Sequence, residues 1–491
     1  MMKSVFNKST LSFLGLLMML CCSCAVRQRV KTDTAGKPTP EPANIVAKIG
    51  DYVITKEELK KKLMAELVPR RDEYDYNRKA GPVDANTVLM KMVAEKAMVI
   101  EARRKNYLED ESIRDSLKRF KEKKLVNLLL GAYLKDKITV TETEIDEKIK
   151  TNPKLKRIRA KAMLQRTKAG KLVNQFYSEI YKKFNAQKLS VNFPKVVRIH
   201  RRLLLYPKEP QKMRWIRVNQ VRNELTPEEK NIVLATYDNG KVTLKDWFDA
   251  LCQIAPPSRP RDLNTAKGVE RLLDSVLRTP IFVAEAKSRG LDKDESLLKQ
   301  IRKREDEKLL SKIMREKVKD IENPPTEEQI VAYFNENKKE FGTPETLKID
   351  QIWCQNIETA RKVKAELDSG KDFKSVRQEY SLEKKGRPFN TYPSYEGVFF
   401  KDLWKAEPNE IVGPVKGFYR KGVKWRIVKI LEKKPGKVKE YTSDMKGNVK
   451  MKMQNEQREA ILEKYRNELL KKYPYEIYAE RIKDIDPLDI P

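Results

Sequence analysis

One histidine, His200, stands in the 491 residues of the chain. Zinc sites built on several histidines are therefore excluded, and a Ser-His-Asp or Cys-His site would have to use that one residue. His200 lies in Val196-Val197-Arg198-Ile199-His200-Arg201-Arg202, a run that reads as a basic strand and carries no catalytic assignment. Cysteine is equally scarce. Cys21, Cys22 and Cys24 cluster near the start, which leaves only Cys252 and Cys354, far apart in sequence. No disulfide framework is indicated, and the residue pattern calls for no cofactor or metal. Long apolar runs are missing too. Residues 11–20 form the longest, about half of the roughly twenty a spanning helix needs.

Charge is abundant. Lys plus Arg number 104 against 71 for Asp plus Glu, a net of +33. Such a balance attracts acidic partners: nucleic acid, anionic lipid or acidic polypeptide. Bases alternate with acids, as in Lys56-Glu57-Glu58-Leu59-Lys60, which reads as a solvated basic surface. Neither an aromatic-interleaved basic platform nor a docking motif for nucleic acid is present, so that partner is not expected.

The amino terminus carries an address. Lys3 and Lys8 precede the apolar run, and Cys21-Cys22-Ser23-Cys24-Ala25 follows it. Basic start, short apolar core and small-residue site make an export signal over residues 1–24. Cysteine at the cleavage point is similar to a bacterial lipoprotein signal, with Cys24 as the lipidated residue. An ordinary cleaved signal is the alternative. Residues 25–44 include Lys37-Pro38-Thr39-Pro40-Glu41-Pro42 and read as a flexible tether.

Folded sequence begins with two short strands around Gly50-Asp51, then Thr55 with Glu58 three residues on, a capping box that opens a helix. This unit recurs at Ala235-Thr236-Tyr237-Asp238-Asn239-Gly240-Lys241-Val242-Thr243. Glu101-Ala102 through Asp110-Glu111-Ser112 returns as Glu285-Ala286 through Asp294-Glu295-Ser296, and Thr141-Glu142-Thr143-Glu144-Ile145 as Thr326-Glu327-Glu328-Gln329-Ile330. Three landmarks in one order argue for an internal duplication of a hairpin followed by helices. Residues 443–481 read as one amphipathic helix with Ile461, Tyr465 and Leu469 on its apolar side.

The stretch from Val46-Ala47-Lys48-Ile49-Gly50 to Glu58-Leu59 resembles the opening of the SurA amino-terminal chaperone domain, a family related to PrsA foldases and periplasmic parvulins. Residues 347–434 resemble a parvulin domain. Leu347 to Trp353 matches its first strand, Asp372 to Ser381 a helix, Phe400 to Trp404 its third helix, Glu410 to Val415 the turn into the final strands, and Trp425 to Ile430 the last strand. Where that family has two histidines, this chain has Gln351 and either Arg426 or Lys424. Glu383 replaces the usual Asp or Cys, and Phe400 remains of the apolar proline pocket.

The resemblance implies an α+β, multidomain and mostly helical chaperone: a helical module at 45–150, an ill-defined insert or truncated parvulin remnant at 151–225, a second module at 226–342, a parvulin-like α/β domain at 343–437, and a carboxyl-terminal helix and tail at 438–491. It implies an envelope protein acting on unfolded or proline-containing polypeptides during export or outer-membrane protein assembly. Peptidyl-prolyl isomerase activity is the family's chemistry, and the departures at Gln351, Glu383 and Arg426 lead to the expectation that it is weak or lost; an active isomerase is the alternative. By the same resemblance the terminal helix packs back on the first module. If Cys24 carries lipid, Cys24→Ser moves the protein from the membrane to the soluble envelope fraction; retention in membranes, with no lipid mass on the wild type, would refute the tether.

Overall fold

A computed structural model describes residues 42–67, 83–208, 215–238, 240–319, 325–420 and 422–488. The candidate signal 1–24, with Cys24, and most of the tether lie outside the described residues. The first repeat opens with β1 (Ile45–Ile49), β2 (Tyr52–Thr55), α1 (Lys56–Leu67), α2 (Ala85–Arg104), α3 (Glu111–Leu134) and α4 (Glu142–Thr151). α5 (Arg157–Lys183), β3 (Gln187–Lys188), α6 (Phe193–Leu205), α7 (Val218–Glu224) and α8 (Pro227–Lys230) follow. The second repeat is β4 (Val233–Tyr237), β5 (Gly240–Thr243), α9 (Leu244–Gln253), α10 (Ala266–Ser288), α11 (Glu295–Val318) and α12 (Glu327–Glu336).

Local chemistry repeats with the order. Thr55 and Glu58 exchange hydrogen bonds at the start of α1, and Thr243 with Asp246 does the same for α9. Asn106 and Gly290, equivalent positions after α2 and α10, both adopt the left-handed conformation that ends a helix. Both hairpins carry a register shift at the same place, Ile45/Ala47 and Val233/Ala235.

A parvulin-like α/β domain is inserted after α12: β6 (Thr346–Cys354), α13 (Ile357–Asp368), α14 (Phe373–Tyr380), β7 (Phe389–Thr391), α15 (Pro393–Glu396), α16 (Phe400–Trp404), β8 (Ile411–Tyr419) and β9 (Gly422–Lys434). Its antiparallel sheet has the order β7-β6-β9-β8. The chain enters and leaves side by side, with Thr343 and Lys437 exchanging backbone hydrogen bonds of 2.8 and 3.1 Å. α17 (Lys446–Lys472) and β10 (Tyr475–Ile477) complete the chain.

Sequence reading did not anticipate how the repeats are joined. α5 and α17 are both 27-residue helices, each leading into a short strand. Phe176, Ile180 and Lys183 have the spacing of Tyr465, Leu469 and Lys472. The landmark Thr141–Ile145 thus continues into α5 as Thr326–Ile330 continues, past the inserted domain, into α17. Each of these helix-strand units packs on the other repeat. β10 pairs with β1 and β3 with β4, both antiparallel. One core gathers Val46, Leu59, Val93 and Met98 of the first repeat with Leu309, Ile313, Tyr465 and Leu469 of the second. The other gathers Trp247, Phe248, Leu273 and Leu277 with Leu125, Leu129, Phe176 and Ile180. The two repeats have exchanged halves within one chain.

Three expectations change. The described residues of this stretch, 151–208 and 215–225, are mostly helical rather than a reduced parvulin sheet, with α5 serving the second core. The run 196–202 belongs to helix α6, because Phe193, Val196, Ile199 and Leu203 recur at helical spacing and are buried on one face. The terminal helix does pack on the first module, on α2, with Tyr465 and Leu469 in its core, but Ile461 is exposed and Leu462 takes the buried place. Among the described residues no helix is long and apolar enough to cross a membrane.

Each exchange is fastened by a buried carboxylate. Glu101 accepts hydrogen bonds from Arg104, from Lys472 Nζ at 2.7 Å and from the Tyr473 hydroxyl at 2.5 Å. Glu285 accepts from Lys183 Nζ at 2.7 Å and from Arg289. Burial alone would raise the Glu101 carboxyl, but the hydrogen bonds outweigh it and hold it at about 2, down from 4.5. Its stabilising effect is complete above pH 4.5 and is lost as pH falls towards 2. At 1.36 kcal/mol per pKa unit that difference amounts to about 3 kcal/mol. In urea denaturation, Glu101→Gln is expected to be less stable than wild type by up to about that amount at pH 7, the gap shrinking steadily below pH about 4.5.

Candidate functional site

Gln351 on β6 and Arg426 on β9 share the sheet face that carries Leu347, Ile349, Val428 and Ile430. Alternation sets this: these residues point one way, while Ile352, Cys354 and Ile427 point to the other face, towards α13 and α14. Arg426 is buried, 1% exposed. Its Nη1 donates to Gln351 Oε1 at 2.9 Å and its Nη2 to Glu396 Oε2 at 2.5 Å. The guanidinium also lies over the Trp353 ring, 5.0 Å from its centre. Glu396, itself buried, accepts from the Thr391 hydroxyl through its other oxygen at 2.7 Å. Gly417 on β8 makes room, since a Cβ there would stand 2.4 Å from Arg426 Nε.

Gln351 and Arg426 are thus brought together, and Glu383 and Phe400 are placed elsewhere. Glu383 is exposed; its backbone N–H donates to the Ser381 hydroxyl, which also receives the Trp353 N–H. Phe400 is 5% exposed and stacks on Trp404 within the core under the sheet, as packing rather than as an open pocket wall. Lys424 lies opposite Gly417, two residues along β9 from Arg426, which lies opposite Val415. His200 is in the helical body, half-buried against Trp247 and Phe248 with ring centres 6.3 and 6.4 Å away, and burial lowers its pKa. Sequence reasoning missed Glu396, Trp353 as a partner, and Gly417. An arginine at an inward strand position was the available signal, because a buried guanidinium requires a carboxylate.

Chemically, the site is a closed ion pair with an amide and an indole around it. Among the described residues no group of His, Cys, Asp and Glu is arranged to hold a metal.

The fold and this site define a parvulin-type domain on a helical body, and residues 325–443 match the family model described as a PPIC-type PPIASE domain. The chain matches the PrsA/parvulin-type foldases. Foldase protein PrsA of Clostridium botulinum is 29% identical over 192 residues, covering 37% of this chain and 54% of that one. Foldase protein PrsA of Caldanaerobacter subterraneus is 23% identical over 235 residues, 44% and 72% of the two. The chain thus spans about half the length of the first of these relatives. Among solved structures, PrsA of Bacillus subtilis is similar at 19% identity, covering 52% of this chain and 98% of that one, with a TM-score of 0.18. A SurA-like chaperone of Campylobacter jejuni is similar at 14% identity, 49% and 98%, with a TM-score of 0.24.

Removing Arg426 alone leaves Glu396 buried without its cation. Arg426→Met should therefore destabilise the parvulin-like domain by roughly 3–5 kcal/mol in chemical denaturation. Adding Glu396→Gln, which keeps an oxygen for Thr391, should recover most of that loss.

Proposed function

We propose that this chain is an exported foldase-type chaperone, tethered to a membrane through Cys24, that holds unfolded or proline-containing polypeptides. In this reading its parvulin-like domain contributes binding and spacing, with proline isomerisation weak or lost. The clients are chains in transit during export or outer-membrane protein assembly, and nucleic acid is not among them. The observation that carries the reading is Arg426. Turning an X-Pro bond means lowering a barrier of about 18–20 kcal/mol with an apolar grip on proline and fixed polar groups around the twisted amide. Here the guanidinium is consumed by Glu396 and Gln351, and Phe400 is sealed in the core.

Holding, by contrast, needs a broad surface and helices that flank an extended chain. The exchanged helical body supplies both, and its net positive charge of +33 favours encounter with anionic lipid headgroups. The inserted domain also enters and leaves the body at one place, where Thr343 and Lys437 pair. The first repeat joins α4 directly to α5 through residues 152–156, where the second repeat carries the whole insertion between α12 and α17.

Two measurements test this. A proline-tetrapeptide isomerisation assay should show no acceleration over buffer. Replacing residues 343–437 by a linker as short as 152–156 should leave suppression of a denatured client's aggregation nearly intact. Fast isomerisation by the wild type, with holding lost in the excised variant, would reverse the roles: an isomerase whose helical modules deliver substrate.

A further inference from the structure

Between Lys148 and Lys171 stand ten lysines and arginines and no carboxylate. This run covers the end of α4, the turn at 152–156 and the first half of α5, which together form a helical arm. α4 packs on α5, with Ile145 and Ala160 buried. Further along α5, Val173 is the first residue to pack against the second core, which Phe176 and Ile180 enter. At about 1.5 Å per residue, Ile158 stands about 22 Å along the helix axis from Val173. Helical spacing turns Ile158, Arg159, Ala162 and Arg166 away from Ala160. All four are exposed, Ile158 by 87%, and Met163 beside them is 47% exposed.

The charge of this arm is largely unspent. Its acids are Glu142, Glu144, Asp146 and Glu147. Arg157 is held by Glu142 and Asp146, and Lys168 by Glu144. Among the described residues the other eight bases of the run have no ion-pair partner, and Glu147 is the one acid of the arm left unpaired.

The second repeat has the same arm, built from α12 and the first half of α17, and there the surface is used. Ala160 corresponds to Val449 by the spacing that matches Phe176 to Tyr465, and both are fully buried. Val449 packs with Ile330 and Phe334, and Phe341 and Tyr441 from the flanks of the inserted domain cover them. Lys446 and Lys452 are paired with Glu327 and Glu340. Ile158 and Met163 correspond to Gly447 and Lys452, so the exposed apolar residues belong to the first arm alone.

We infer that the α4–α5 arm docks on an anionic lipid surface, with Ile158 entering among the headgroups and the unpaired bases around it meeting lipid phosphates. Four to eight clustered bases are about what such a surface retains, and their long apolar stems let the cations stay at headgroup level while an apolar neighbour goes deeper. A hydrated polyanion would leave Ile158 in water. Single-stranded nucleic acid is gripped by stacking on rings, and no aromatic residue stands between positions 141 and 175. The inference goes beyond the holding function, depends on the exported reading only for which bilayer is met, and does not need the Cys24 tether.

The test uses the chain from residue 25 onward, which keeps every described residue and carries no lipid. It is sedimented with vesicles of phosphatidylcholine alone, or of phosphatidylcholine with about one third phosphatidylglycerol. Wild type should partition onto the anionic vesicles at least about tenfold more strongly than onto the neutral ones. Lys154→Gln/Arg159→Gln/Arg166→Gln should weaken the anionic partition by about a hundredfold. Lys374→Gln/Lys401→Gln/Lys439→Gln, which removes the same charge in and beside the inserted domain, should leave it within about twofold of wild type. Ile158→Ser should weaken it by about tenfold and leave binding to heparin, a soluble polyanion, unchanged. All seven positions are exposed, and thermal melts verify folding. Equal partition of wild type onto both vesicle types, or equal losses in the two triple variants, would overturn the arm as a docking site. Vesicle binding by Ile158→Ser as strong as wild type would reassign the arm to soluble polyanions and overturn the lipid surface. These readouts involve neither client holding nor Cys24, so their failure leaves the proposed function standing.

Discussion

Glu101 and Glu285 each sit near the end of the long helix of their own repeat, and each is reached by a lysine from a helix that packs across from the other. A carboxylate at that depth is tolerated only while its cations are present. The two pairs, Glu101–Lys472 and Glu285–Lys183, therefore fix which helix closes which core. Neither repeat completes itself. The first repeat's core is closed by α11, α17 and β10, the second's by α3, α5 and β3. Residues more than a hundred positions apart meet in each core, so the helical body gains its stability as one unit and not as two beads.

That constraint leaves one place where sequence can be added cheaply. Between α12 and α17 the chain turns back on itself, and Thr343 with Lys437 ties the ends of the inserted domain together. An insertion whose ends already touch does not disturb the helices on either side. The domain can then change internally. Its buried Arg426, with Glu396, Gln351 and Trp353 around it, is a self-contained polar cluster that holds β6, β9 and α15 in register.

Local order was legible in the sequence because it is set by short-range physics. Thr55 with Glu58 announced a helix start, and the turn at Gly50-Asp51 announced a hairpin. The parvulin-like strands and helices fell within a few residues of their places, and Gln351 with Arg426 emerged as neighbours. His200 was misread because four apolar residues flanked by arginines fit a strand by composition, and only their spacing of three and four marks α6. The pairing of α5 with α17 was present as Phe176, Ile180 and Lys183 against Tyr465, Leu469 and Lys472, and it escaped notice because the inserted domain shifts the offset between them.

The sequence by itself determined the elements, their repetition, the inserted domain and the substitution of its expected histidines. Tertiary structure decided three things: that the repeats exchange helices, that Arg426 finds Glu396, and that the α4–α5 arm keeps Ile158 exposed while its counterpart is covered by the flanks of the inserted domain. The reason lies in what an amphipathic pattern encodes. A stripe of apolar residues at helical spacing says that a face is buried, and a buried charge says that a partner exists. Neither names the partner, because that choice belongs to the packing of surfaces distant in sequence.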